Sequence, residues 1–130
     1  MYVAIFRRCS MECRLTEWVN TIYACLLNNK LHRNNSSAIE RANGNREWYC
    51  NGELHRDNAP AVEWADGTRK WYCHGELHRS DGPAVEWADG DREWYYHGEE
   101  YTFAEWLQHN KTLDSKTRTL YRLRYSEEVA

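Results

Sequence analysis

Residues 77–99 read Leu77-His78-Arg79-Ser80-Asp81-Gly82-Pro83-Ala84-Val85-Glu86-Trp87-Ala88-Asp89-Gly90-Asp91-Arg92-Glu93-Trp94-Tyr95-Tyr96-His97-Gly98-Glu99. The block before it, Leu54 to Glu76, repeats this stretch with the same chemistry at nearly every position. One block further back, Leu31-His32-Arg33 stands where Leu54-His55-Arg56 and Leu77-His78-Arg79 stand, at a period of 23 residues. Trp48-Tyr49, Trp71-Tyr72 and Trp94-Tyr95 keep that period, as do Gly44, Gly67 and Gly90, and Glu40, Glu63 and Glu86. A fixed period of this length marks a repeat architecture, and it decides the fold.

Each unit reads as a hairpin. Ala61 to Ala65 is a strand, Asp66-Gly67 a tight-turn signal, and Arg69 to Cys73 the second strand. His74-Gly75 turns the chain into Leu77-His78-Arg79, and Asp81-Gly82-Pro83 leads to the next unit. The fold expected is mainly β: an elongated antiparallel meander of tandem 23-residue β-hairpin repeats with a short C-terminal helical cap. Two strands per unit place equivalent residues of neighbouring units roughly 9–10 Å apart.

Outward from the clear repeats the frame weakens. Glu17-Trp18-Val19-Asn20 falls in register with Glu63-Trp64-Ala65-Asp66, so Leu15 to Leu27 reads as a degenerate first repeat and Met1 to Phe6 as a half unit. The rival is an amphipathic helix, with Leu15, Trp18, Val19, Ile22 and Leu26 at helical spacing. The array thus spans residues 1–101, clear over 31–101. Residues 102–130 form the cap: Thr102-Phe103-Ala104-Glu105 is a capping box, and Asp114 or Ser115 caps a second helix, with Leu120, Tyr121 and Leu123 available for packing. Such helices would cover the last sheet edge.

The motif His-Arg-x-Asp-Gly-Pro-Ala-Val-Glu, then Ala-Asp-Gly, then Trp-Tyr and a Gly, resembles MORN-like repeats of the type seen in giant-virus and bacteriophage proteins. The match is best over His78 to Gly98 and good over His55 to Gly75, where Asn58-Ala59 replaces Asp-Gly before Pro60. It is weaker over His32 to Gly52, where Ser36 and Ser37 replace the Gly-Pro pair. The resemblance implies an elongated hairpin sheet serving protein interaction and dimerisation, with some lipid contacts, and no shared catalytic residue. A viral or phage origin implies a host-facing role in the host cytoplasm, such as blocking a defence protein.

Charge narrows the partner. The 130-residue chain has a net charge of −3, but Leu31 to Tyr101 holds eight basic and fourteen acidic residues. An acidic face disfavours phosphate backbones and anionic membranes. Met1 to Phe6 is apolar and Arg7-Arg8 follows, the reverse of a signal peptide, and no stretch reaches membrane-spanning length. Five cysteines form no tidy framework, which points to reduced thiols in a cytoplasm.

The candidate binding residues come from the repeat columns. Trp64, Trp87, Tyr49, Tyr72 and Tyr95 offer large surface with a polar handle, suited to gripping a partner or to forming the sheet's own core, including by homodimerisation. Arg56 and Arg79 with Glu63 and Glu86 read as a charged recognition strip or as cross-strand ion pairs. His32, His55 and His78 read as turn hydrogen-bonding residues, because their column spacing is too wide for one metal ion. Cys50 and Cys73 are too far apart to bridge in a meander. Cys73-His74 with His97 has no metal-site spacing, so no metal or cofactor is expected. The basic tail (Lys111, Lys116, Arg118, Arg122, Arg124) reads as a solvated helix face or a contact for an acidic surface.

The function expected is therefore a non-enzymatic module that binds a host protein. The alternatives are a DNA mimic that occupies a host enzyme's nucleic-acid site, and a lipid- or nucleic-acid-binding surface. No nucleophile–base arrangement or phosphate loop suggests an enzyme.

Overall fold

A computed structural model describes residues 14–16, 21–27, 30–32 and 36–128. The half unit at Met1 to Phe6, the pair Cys9 and Cys13, Trp18 and Arg33 lie outside the described residues. The described chain is mainly β, built from antiparallel hairpins and ending in two short helices. No helix in it is long and apolar enough to cross a membrane.

One sheet runs through the molecule. Its order is β1 (Arg14–Thr16), β2 (Thr21–Leu27), β4 (Ile39–Arg41), β5 (Arg46–Glu47), β8 (Val62–Glu63), β9 (Arg69–Lys70), β12 (Val85–Glu86), β13 (Arg92–Tyr96) and β14 (Glu99–Tyr101), with β3 (Lys30–Leu31) on β2. Thr21–Leu27 is a strand, so the helical alternative is not taken there. The partners are Thr16↔Ala24, Ile39↔Glu47, Val62↔Lys70 and Val85↔Glu93. Each pair is the previous one moved by 23 residues. The weakly matching first hairpin therefore holds the same register as the clear ones.

The expected long second strand is split. Tyr49–Cys50 (β6) pairs with Glu53–Leu54 (β7), and Tyr72–Cys73 (β10) with Glu76–Leu77 (β11), as separate two-stranded sheets. The break falls at Trp48 and Trp71. The Trp48 amide donates to the Ala61 carbonyl at 2.8 Å, while its carbonyl accepts from His55 N–H at 3.1 Å. The first half of the strand thus pairs with the next unit and the second half with its own hairpin.

The two turns also exchange roles. At Asp66-Gly67 only the glycine has positive φ (102°). Gly67 N–H donates to the Trp64 carbonyl and Trp64 N–H to the Thr68 carbonyl, which gives a three-residue loop with a glycine bulge. The two-residue turn with positive φ at both positions is instead His74-Gly75 (49° and 82°), repeated at Asn51-Gly52 and His97-Gly98. Neighbouring units are stitched at the first turn, where Ala65 N–H donates to Asn45 Oδ1 and Ala88 N–H to Thr68 Oγ1.

The core is a thin line of small residues. Ala38, Ala61 and Ala84 are fully buried, and Ile39, Val62 and Val85 nearly so. The larger cluster lies at the C-terminal end, where Trp94 packs with Phe103, Trp106, Leu107 and Tyr125. Helix α1 (Phe103–His109) opens with the expected capping box of Thr102 and Glu105. Helix α2 (Ser115–Arg124) is capped by Asp114. The expected packing of α2 holds for Tyr121 but not for its leucines: Leu120 is 56% and Leu123 70% exposed. Arg118 anchors the helix instead, donating to the carbonyls of Leu107, Asn110 and Leu113.

Candidate interaction surface

Strand alternation divides the candidate residues between two faces. Trp64, Trp87 and the tyrosine column share one face with the column Glu47, Lys70 and Glu93. Arg56, Arg79, Glu63 and Glu86 lie on the other, with Trp48 and Trp71.

On the first face the side chains interlock. Arg41, in the Trp64 position of its unit, pairs with Glu47 at 2.9 Å. Lys70 Nζ sits 4.6 Å from the Trp64 ring and 4.5 Å from the Trp87 ring, whose centroids are 6.2 Å apart. Trp87 Nε1–H donates to Glu93 at 2.8 Å. The ammonium is thus held between two aromatic faces, an arrangement favoured by the ring quadrupoles. Trp64 remains 36% exposed.

The tyrosines flank this row, half-buried. Tyr49 O–H donates to Glu47 at 2.9 Å. Burial first, and then the Glu47 charge, push the Tyr49 hydroxyl up to about 12. Burial raises Tyr72 as well, and burial with the charges of Glu100 and Glu93 raises Tyr95. Tyr49 and Tyr95 therefore keep their protons beside the carboxylates they bond.

On the second face the charges satisfy one another. The Arg56 guanidinium lies 3.8 Å from the Trp48 ring and donates to Pro60 O and Glu63, each at 3.1 Å. Arg79 does the same 23 residues on, 3.8 Å from Trp71, bonded to Pro83 O at 3.1 Å and Glu86 at 3.0 Å, with Asp81 at 2.7 Å as well. The arginines and glutamates of this strip form ion pairs, and each guanidinium also stacks on a tryptophan, a contact that alternation alone does not reveal.

The histidine column bonds the turns. Nδ1 of His32, His55 and His78 accepts the backbone N–H of Asn51, His74 and His97, at 3.0, 3.1 and 3.0 Å. Each acceptor serves a residue held at positive φ. Burial first, and then the nearby His97, lower the pKa of His78, which favours the neutral ring this bond needs.

Side chains able to hold a metal meet in one place among the described residues. One donor atom each of His55, Cys73 and His74 lie within 4.8 Å of one another. In the sequence Cys73 and His74 stand with His97 as possible ligands without a metal-site spacing. The closer partner is His55, whose ring centroid is 4.5 Å from that of His74. The signal missed was the 19-residue offset from a column histidine to the turn it bonds, which is shorter than the repeat.

Comparison with protein-family models, with curated proteins and with solved structures found no match for this chain.

Proposed function

We propose that the chain is a non-enzymatic, MORN-like protein-binding module, and that its contact surface is the face carrying Trp64, Lys70 and Trp87. The observation that carries this reading is the exposed Trp64 ring, fixed beside Lys70 and Trp87 on a hydrogen-bonded sheet. Pre-ordered side chains lose little entropy on binding, and tryptophan and tyrosine are among the residues that dominate interface energies. On the opposite face each arginine is bonded to a glutamate of its own unit and stacked on the tryptophan of the unit before, which makes that face a fastening between units. The partner in this reading is a host protein, and the module acts by covering it, as a viral or phage inhibitor of a defence factor would.

The test is capture from nuclease-treated host lysate, followed by binding of the retained protein to variants. Trp64→Ala with Trp87→Ala weakens that binding by at least about 30-fold, the equivalent of one strong hot spot. Leu120→Ala on α2 leaves it unchanged. Undiminished binding by the double variant overturns the assignment of this face.

The exposed carboxylates of Glu53, Asp66, Glu76, Asp89 and Asp91 favour a second reading, a mimic of nucleic acid. A mimic loses affinity steeply as salt rises, whereas binding centred on Trp64 and Trp87 is nearly insensitive to it.

A further inference from the structure

We infer that the middle repeat holds a site for a divalent transition metal of the zinc class, with His55, Cys73 and His74 as ligands. The three donors lie within 4.8 Å of one another around the turn that follows β10. Ligands of a tetrahedral zinc ion, at about 2.0–2.3 Å from it, stand roughly 3.3–3.8 Å apart. The donors must therefore close by about 1 Å, and the exposed His74 side chain has room to make that movement. Two imidazoles and a thiolate form a borderline-to-soft donor set, suited to zinc and cobalt rather than to magnesium or calcium.

The outer contacts fit the same chemistry. Asp57 lies 3.2 Å from His55 Nε2, the carboxylate partner that metal-bound histidines commonly have on the ring nitrogen facing away from the metal. With Nε2–H donating to Asp57, Nδ1 carries the lone pair. That lone pair accepts the His74 amide, so metal binding exchanges one hydrogen bond for a metal bond. The Cys73 thiol gives its proton to solvent in the same step. Glu53, 3.9 Å from His74 Nδ1, is placed to orient that ring or to enter as a fourth ligand.

The neighbouring units are built-in controls. In one, the equivalent residues are His32, Cys50 and Asn51; in the other they are His78, Tyr96 and His97. Each lacks one ligand on the same backbone frame, with Asn51 and His97 at the same positive φ as His74.

The experiment is a titration of the untagged, reduced chain with cobalt(II), following the thiolate-to-cobalt charge-transfer band and the stoichiometry. One equivalent binds with that band. Cys73→Ser abolishes the band, Cys50→Ser keeps it, and Asp57→Asn weakens binding about 10- to 100-fold. Asn51→His with Lys30→Glu and Asn34→Asp gives the earlier unit the donors and outer carboxylates of the middle one and raises the stoichiometry from one to two. This last variant adds ligand groups instead of removing one, so it decides the matter even if Cys73→Ser fails to fold. A wild-type chain without the band, a band that persists in Cys73→Ser, or a stoichiometry unchanged in the variant carrying Asn51→His, Lys30→Glu and Asn34→Asp overturns the site.

Discussion

Trp71 and Trp94 occupy the same position in successive units, yet they are covered in different ways. Trp71 in the middle of the array lies under Arg79 of the following unit, which is tied down by Glu86, Asp81 and the Pro83 carbonyl. After Trp94 the 23-residue frame calls for an arginine at position 102 and finds Thr102. The chain turns there into α1, and Phe103, Trp106 and Tyr125 close on Trp94 at 4.8, 4.6 and 5.0 Å between ring centroids. Trp106 Nε1, Asn110 Nδ2 and the Tyr121 hydroxyl donate to the carbonyls of Arg79, Ser80 and Asp81. An internal unit is thus finished by the charged lid of its neighbour. The last unit, having no neighbour beyond it, is finished by an aromatic lid. The helices complete the sheet and are not a separate appendage.

The largest effect expected from this comparison is at Trp106, which is fully buried. Trp106→Ala opens a cavity over Trp94 and costs about 3–5 kcal/mol. The melting temperature falls by about 10–20 °C, and the near-ultraviolet circular dichroism of the Trp94 cluster collapses with it. A loss under about 1 kcal/mol would mean that the cap rests on the sheet without supporting it. The internal lid is worth less, because a guanidinium that is partly wet gains less from burial. Arg79→Ala costs about 2 kcal/mol in urea denaturation, from the charged hydrogen bonds and the stack together. Arg79→Lys recovers less than half of this, since an ammonium cannot reproduce the planar fork. Full recovery by lysine would show that charge alone holds the lid.

The repeat unit, the strands within it and the capping box of Thr102 and Glu105 were legible because each is local: a period, an alternation, a spacing of three. The break at Trp48 and Trp71 was not. Alternation shows which face a residue takes, not that the two halves of one strand pair with different partners. Asp66-Gly67 and His74-Gly75 were both read as turns, but which of them takes positive φ twice depends on register with the next unit. Leu120, Tyr121 and Leu123 share helical spacing, so their pattern could not show that only Tyr121 reaches the sheet. The binding residues were half legible. The columns were identified, but their division between two faces follows from Lys70 meeting Trp64 and Trp87 and from Arg79 meeting Trp71. The meeting of His55, Cys73 and His74 was hidden because it closes the two ends of one unit at an offset the period does not contain.

The smallest effect expected is a pH dependence at the turn of the last unit. His78 is held below its ordinary value of 6.5 by burial and by the charge of His97, with Glu76 pulling weakly the other way. A proton on Nδ1 would remove the acceptor for His97 N–H. The unfolded chain therefore binds this proton more readily than the folded one. The stability contributed by His78 is complete above pH 6.5 and is lost as the pH falls through the lowered folded value. Urea midpoints measured at a series of pH values should decline on acidification across that window, and the decline should be shallower in His78→Asn. Equal slopes in the two proteins, or a wild-type chain that gains stability on acidification, would show that the turn at His97-Gly98 does not depend on the neutral ring of His78.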